Sequence, residues 1–134
     1  MFSLYVNDLE SVFLNSGCDS YHIGMLNLYS LMYADDTVLV SAAGLQSLLD
    51  TLDDYSTLWN LVVNVNKTKI LVFRKSVRLM DYHWYYQGQQ IEIVNKFCYL
   101  GITLNYTGKH LLTQQILASQ GRKALAAMYS RIRN

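Results

Sequence analysis

The chain has 134 residues, 51% of them hydrophobic and 16% charged, and it contains no proline. This composition can bury a core; it excludes a disordered chain, a proline-rich linker and a polyproline ligand, and one compact unit is expected. The net charge of +1 hides a division, since residues 1–92 carry ten acids and five bases (−5) and residues 93–134 carry six bases and no acid (+6). Lys67, Lys69, Arg74, Lys75 and Arg78 form a second basic cluster. A polyanion gripped at one end suits such asymmetry, because Lys and Arg near phosphates release counterions without reading sequence; a solvated helix face would also carry scattered charge of this kind.

In chain order, Leu4, Val6, Leu9, Val12 and Phe13 form a helical stripe over Met1–Leu14 that stops at Asn15-Ser16-Gly17. Leu26–Met32 and Thr37–Val40 are apolar, β-leaning runs on either side of Tyr33-Ala34-Asp35-Asp36, a predicted hairpin with acids at its tip. Leu45, Leu48, Leu49, Leu52, Tyr55, Leu58 and Trp59 recur at three and four residues, which predicts an amphipathic helix. Leu61–Val65 and Lys69–Phe73 read as short strands, the second apolar on both faces and therefore covered. Tyr82–Tyr86 and Gln90–Val94 flank Gln87-Gly88-Gln89 as a second hairpin, and Lys96–Leu104 reads as one further strand. A helical stripe runs from His110 to Ile132, weakened at Gly121 by about 1 kcal/mol. The order of helices and hairpins is α+β.

The apolar runs are too short and interrupted for a membrane span, and Met1–Glu10 lacks the basic and apolar regions of a signal peptide. An intracellular protein, nuclear or cytoplasmic and without a membrane partner, is expected. Cys18 and Cys98 then read as buried small hydrophobes, and the triplets Asn66-Lys67-Thr68 and Asn105-Tyr106-Thr107 as incidental glycosylation matches.

Two adjacent carboxylates on a tight turn gather hard oxygen ligands at one point, the chemistry that Mg²⁺ takes together with substrate phosphate. Rigid flanking strands suit a two-metal clamp, in which the attacking and leaving oxygens must be held in line. Taken alone, an Asp pair between strands is also ordinary turn chemistry.

Several blocks in order resemble the reverse transcriptases of non-LTR, LINE-type retrotransposons. Phe2-Ser3-Leu4-Tyr5-Val6-Asn7-Asp8-Leu9 is similar to the helix closing that family's template-positioning block, and Leu31-Met32-Tyr33-Ala34-Asp35-Asp36-Thr37-Val38-Leu39 to its catalytic hairpin. Gly44-Leu45-Gln46 through Trp59, with Val63-Asn64-Val65-Asn66-Lys67-Thr68-Lys69, resembles the helix and lysine loop that follow. Phe97-Cys98-Tyr99-Leu100-Gly101-Ile102 resembles the primer-grip strand.

The resemblance implies a partial right-hand palm over residues 1–104, antiparallel hairpins packed on helices, and the start of a thumb over 105–134. It implies Asp35 as a ligand of catalytic Mg²⁺, or Mn²⁺ in its place, with Asp36 as a supporting acid and Tyr33 bordering the primer end. Ala34 and Thr37 take steric roles. Lys67 corresponds to a lysine that protonates departing pyrophosphate or steadies the incoming triphosphate, a task for a mobile ammonium, though a solvated turn lysine would look the same. Tyr99, Leu100 and Gly101 fall where backbone passes close to the primer, an approach that a residue without Cβ permits; a plain strand glycine is the alternative. The cationic last helix, with Lys109, Arg122, Lys123, Arg131 and Arg133, corresponds to a thumb gripping the duplex backbone. Trp59, Trp84, Tyr85 and Tyr86 are expected in the core.

RNA template, DNA primer and dNTP are the implied partners. The family's third carboxylate and its fingers have no counterpart in the sequence, and Asp8 is not their substitute because it is expected at the far end of the first helix. Met1 stands where the family runs on from earlier residues, so the chain reads as the remnant of a truncated element, inactive alone, whose exposed sheet edge the absent N-terminal palm and fingers or another protein would cover. A non-catalytic nucleic-acid binder is the competing reading, and a chain with no selected function is the third.

Overall fold

In a computed structural model of the protein, which describes residues 8–75, 81–109, 115 and 118–123, helix α1 spans Leu9–Asn15 and buries Leu9 and Phe13, one turn apart on a single face. It ends at Gly17, whose φ of +67° lets the chain reverse while Cys18 N–H donates to Phe13 C=O at 3.4 Å. Residues 1–7, the first half of the predicted helix, lie outside the described residues. Asp8 stands at the N-cap of α1; the segment whose far end it was expected to mark lies outside the described residues.

Four strands follow: β1 (Tyr21–Ile23), β2 (Leu26–Leu28), β3 (Ser30–Tyr33) and β4 (Asp36–Leu39). They pair as two antiparallel hairpins, β1 with β2 and β3 with β4. The run Leu26–Met32 is thus two strands and not one. Its break is Tyr29, buried and stacked on Phe13 with ring centroids 6.3 Å apart, while the turn at Gly24-Met25 brings β1 back along β2. Helix α2 (Leu45–Leu58) matches the predicted amphipathic helix and buries Leu48, Leu49 and Tyr55. Gly44 precedes it, and a Cβ there would stand 3.0 Å from Asp19 Cβ, so the entry to α2 is tight enough that Asp19 would have to shift to admit a side chain. Leu9, Phe13, Cys18, Tyr29, Leu48 and Tyr55 form the core, with Val12, Leu39, Leu52 and Leu61 against it; burying each large side chain contributes about 1.5–3 kcal/mol.

A short hairpin, β6 (Tyr85–Tyr86) with β7 (Gln89–Gln90), is held on α2 by side chains. The Gln46 amide accepts from Tyr85 N–H at 3.0 Å and donates to Tyr85 C=O at 2.9 Å, as a neighbouring strand would. Tyr86 Oη and Ser56 Oγ lie 2.6 Å apart in the interior, and Gln87 donates to Asp53 at 2.7 Å.

The chain divides into two compact units in place of the expected one: Met1–Thr68 with Tyr82–Ile91, and Lys69–Asp81 with Glu92–Asn134. The cause is a parallel pair. Strand β5 (Lys69–Leu71) joins β8 (Glu92–Val94) side by side, and a parallel pair requires a long crossover. The predicted strand Gln90–Val94 is therefore split at buried Ile91, one end in the β6–β7 hairpin and the other in the second unit. In that unit β9 (Lys96–Tyr99) and β10 (Ile102–Asn105) form a hairpin where one strand was predicted, because Leu100 and Gly101 turn the chain within an unbroken apolar pattern. Arg74 stands 4.5 Å over the Tyr106 ring and donates to Asn95 Oδ1 at 2.5 Å, so it is a structural contact and not a free member of the basic cluster.

Three further expectations change. Leu61–Val65 has no partner strand among the described residues and runs as loop; Phe73, just past β5, is exposed and not covered. Trp59 and Tyr85 are exposed where core was expected, and Cys98 is exposed although Cys18 is buried. Of the last predicted helix, residues 115 and 118–123 are helical and the remainder lies outside the described residues. The architecture is mixed α+β, with small antiparallel hairpins and the one parallel pair. Among the described residues no helix is long and apolar enough to cross a membrane.

Candidate active-site hairpin

The β3–β4 register pairs Ser30 with Leu39, Leu31 with Val38, Met32 with Thr37 and Tyr33 with Asp36. Ala34 and Asp35 are left as the two-residue loop, so the paired acids stand at the tip, as the sequence predicted. Val40 N–H donates to Tyr29 C=O at 2.8 Å, extending the ladder into the core. At alternate residues exposure rises from 6% at Tyr29, just before β3, to 48% at Leu31 and 61% at Tyr33. The root is fixed by packing and the tip stands in solvent. Cross-strand partners share a face, so Tyr33 and Asp36 lie side by side, with Leu31 and Val38 behind them.

The turn itself is unusual. Ala34 has φ of +54° and Asp35 is not in the positive-φ region, the sign pattern of a II′ turn, whose first position strongly favours glycine. The other three two-residue hairpins each place a glycine at positive φ: Gly24, Gly88 and Gly101. Among the described residues the acidic hairpin alone does without one. A left-handed alanine costs about 1–2 kcal/mol, and strain of this kind collects where a side chain must be aimed. Gln87 and Leu100, each at φ +48°, likewise put a side chain at positive φ in the first position of their loops, so the left-handed residue is shared and what sets the acidic loop apart is the lack of a glycine beside it.

Hard carboxylate oxygens at Asp35 and Asp36 fit part of the donor set of Mg²⁺ or Mn²⁺. Among the described residues no group of three or more His, Cys, Asp or Glu side chains gathers to complete it. The two acids by themselves do not make a two-metal centre, and no catalytic step follows from them alone. Asp8 is engaged elsewhere: Tyr55 Oη donates to Asp8 Oδ1 at 2.6 Å. Burial, and then that hydrogen bond, push the Tyr55 hydroxyl up to about 12.

Compared with known proteins, the chain matches no family model, no curated protein and no solved structure.

Lys67 sits in the same unit as the hairpin, exposed on a turn in which its own N–H and that of Thr68 donate to Asn64 C=O at 3.1 and 3.0 Å. It forms no ion pair among the described residues, whereas Lys69 two positions on is bound to Glu92 at 2.7 Å. The other predicted site residues belong to the second unit. Tyr99 pairs with Ile102 across the β9–β10 turn made by Leu100 (φ +48°) and Gly101 (φ +79°). A Cβ on Gly101 would meet nothing within 4 Å, so within the chain its glycine is required by backbone conformation and not by crowding. Arg122 and Lys123 are exposed on the helical residues 118–123, where Arg122 Nε donates to Ala118 C=O at 3.3 Å.

Proposed function

We propose that the chain is the palm portion, with the start of the thumb, of an RNA-directed DNA polymerase of the non-LTR retrotransposon type. Residues 1–104 supply the palm and 105–134 the thumb root. One observation carries the reading: Asp35 and Asp36 stand at the tip of a two-residue hairpin whose root is packed in the core. A rigid, solvent-facing pair of carboxylates is what a divalent ion requires when it must also take phosphate oxygens. Asp35 acts as the metal ligand with Asp36 in support, Tyr33 borders the primer end, and Lys67 meets the triphosphate. Tyr99, Leu100 and Gly101 pass along the primer, and Arg122 and Lys123 grip the duplex backbone. A bound Mg²⁺ would supply charge neutralisation on phosphate. The third carboxylate and the fingers have to come from residues other than these, which would also cover the open hairpin edge.

Mn²⁺ titration followed by NMR tests the metal assignment. Selective broadening of Ala34 to Thr37 amides at millimolar Mn²⁺, removed by Asp35→Asn, is expected; no selective broadening sinks it. Primer extension on an RNA template with Mg²⁺ or Mn²⁺ is expected to give no product from this chain alone. Template-dependent product that Asp35→Asn abolishes would refute that inactivity. A second reading, nucleic-acid binding without chemistry, is favoured by the acid-free stretch 93–134 with its six bases. It predicts steeply salt-dependent binding that survives Asp35→Asn and Asp36→Asn, and loss of binding in those variants excludes it.

A further inference from the structure

The β1–β2 ribbon has two unlike faces. By register, Tyr21 lies opposite Leu28 and Ile23 opposite Leu26, so one face is wholly apolar. The other carries His22 and Asn27, joined at 2.7 Å between Nδ1 and Oδ1. Tyr21, Ile23 and Leu26 are 46%, 54% and 71% exposed, and Met25 at the tip is fully exposed. From Ser20 to Ala34 the sequence contains no Asp, Glu, Lys or Arg. A two-stranded ribbon is marginal by itself, and this one presents its apolar face to water.

We infer that this ribbon is a self-association surface, its apolar face packing on the same face of a second copy about a two-fold axis. Two features select that occupant. The ribbon has no Asp, Glu, Lys or Arg for nucleic acid or a charged peptide to read, and its one imidazole is on the other face, so the complement of the exposed face must be apolar. An isologous contact places the same four side chains on both sides, and identical uncharged faces approach without like-charge repulsion. The area sets the strength. Tyr21, Ile23 and Leu26 of that face, with Met25 added at the tip, offer on the order of 400 Å² per copy, so the pair would bury about 800 Å², below the range of stable complexes. The dimer is therefore weak, reversible and dependent on concentration.

Sedimentation velocity on the full chain from 5 to 200 micromolar (round values, about the span a weak contact requires) tests this. The expected result is a monomer–dimer shift across that range, moved at least about tenfold to higher concentration by Ile23→Thr or Leu26→Thr. His22→Ala, on the polar face, controls for damage to the ribbon and should leave the equilibrium in place. A chain that stays monomeric throughout overturns the inference. So does a dimer unchanged by both apolar-face variants, or aggregation without a discrete dimer. Because none of these positions is Asp35 or Asp36, failure here leaves the polymerase reading standing, and loss of Mn²⁺ broadening leaves this one standing.

Discussion

Ala34 does for the backbone what Gly24 does at the same position of the β1–β2 turn, but with a Cβ, as Gln87 and Leu100 do in theirs. Substituting Ala34→Gly removes about 1–2 kcal/mol of left-handed strain and adds about 0.4–1 kcal/mol of unfolded-chain entropy, so a net stabilisation of about 0.5–1 kcal/mol is expected in urea unfolding. Ala34→Val is expected to lower stability by more than about 1 kcal/mol, since a branched side chain tolerates positive φ less well still. Tyr55 gives a second prediction at this scale. Its hydroxyl, near 10 in the unfolded chain, is held up to about 12 in the folded one. Between those values the unfolded state has lost a proton that the native state keeps, so stability falls as pH rises from 10 to 12 and is fully present below 10. Tyr55→Phe should flatten that fall, an effect on the order of 2 kcal/mol read by denaturation across the alkaline range. Residue identities at the acidic tip were legible because Asp-Asp between apolar runs is visible in sequence. The Tyr55–Asp8 bond was not, since it joins residues 47 apart and no local pattern marks such pairing.

At the scale of elements, the hairpin on α2 rests on an asymmetric pair. Ser56 Oγ donates to Asp53 C=O at 3.0 Å, which leaves Tyr86 Oη as the donor in the buried 2.6 Å contact. Tyr86→Phe loses one neutral hydrogen bond and should cost about 0.5–1.5 kcal/mol. Ser56→Ala strands a buried phenol and should cost more, about 1–3 kcal/mol, with both read as shifts of the urea midpoint. Helix α2 was legible because apolar residues recur at three and four positions from Leu45 to Tyr55, although Leu58 and Trp59, at the end of that pattern, are exposed. The hairpins were harder. Phe97–Ile102 shows no polar interruption, so Gly101 is the one sequence sign of the β9–β10 turn, and Leu61–Val65 has strand composition without a strand to pair with among the described residues. Composition reports what a segment can do, and pairing partners decide what it does.

For the whole molecule, the division into two units makes their anchors separable. Arg74 ties residues of the second unit alone, through Tyr106, Asn95 and the Val72 carbonyl. Arg74→Ala should remove about 1–2 kcal/mol of cation–π and hydrogen-bond contacts and raise hydrogen exchange over residues 92–109. Amides of α1 and α2 should keep their protection; equal loss in both would mean that the units do not open independently. The parallel pair responsible for this division was invisible in sequence, because β5 and β8 are 23 positions apart in register, Lys69 against Glu92.

The same interleaving bears on how the protein is made. The first unit needs Tyr82–Ile91 to finish covering α2. A ribosome adding roughly 5–20 residues each second therefore leaves Met1–Thr68 incomplete for about 1–5 seconds, until that hairpin emerges. During that interval the nascent polypeptide offers apolar helix surface to any holdase at the exit tunnel.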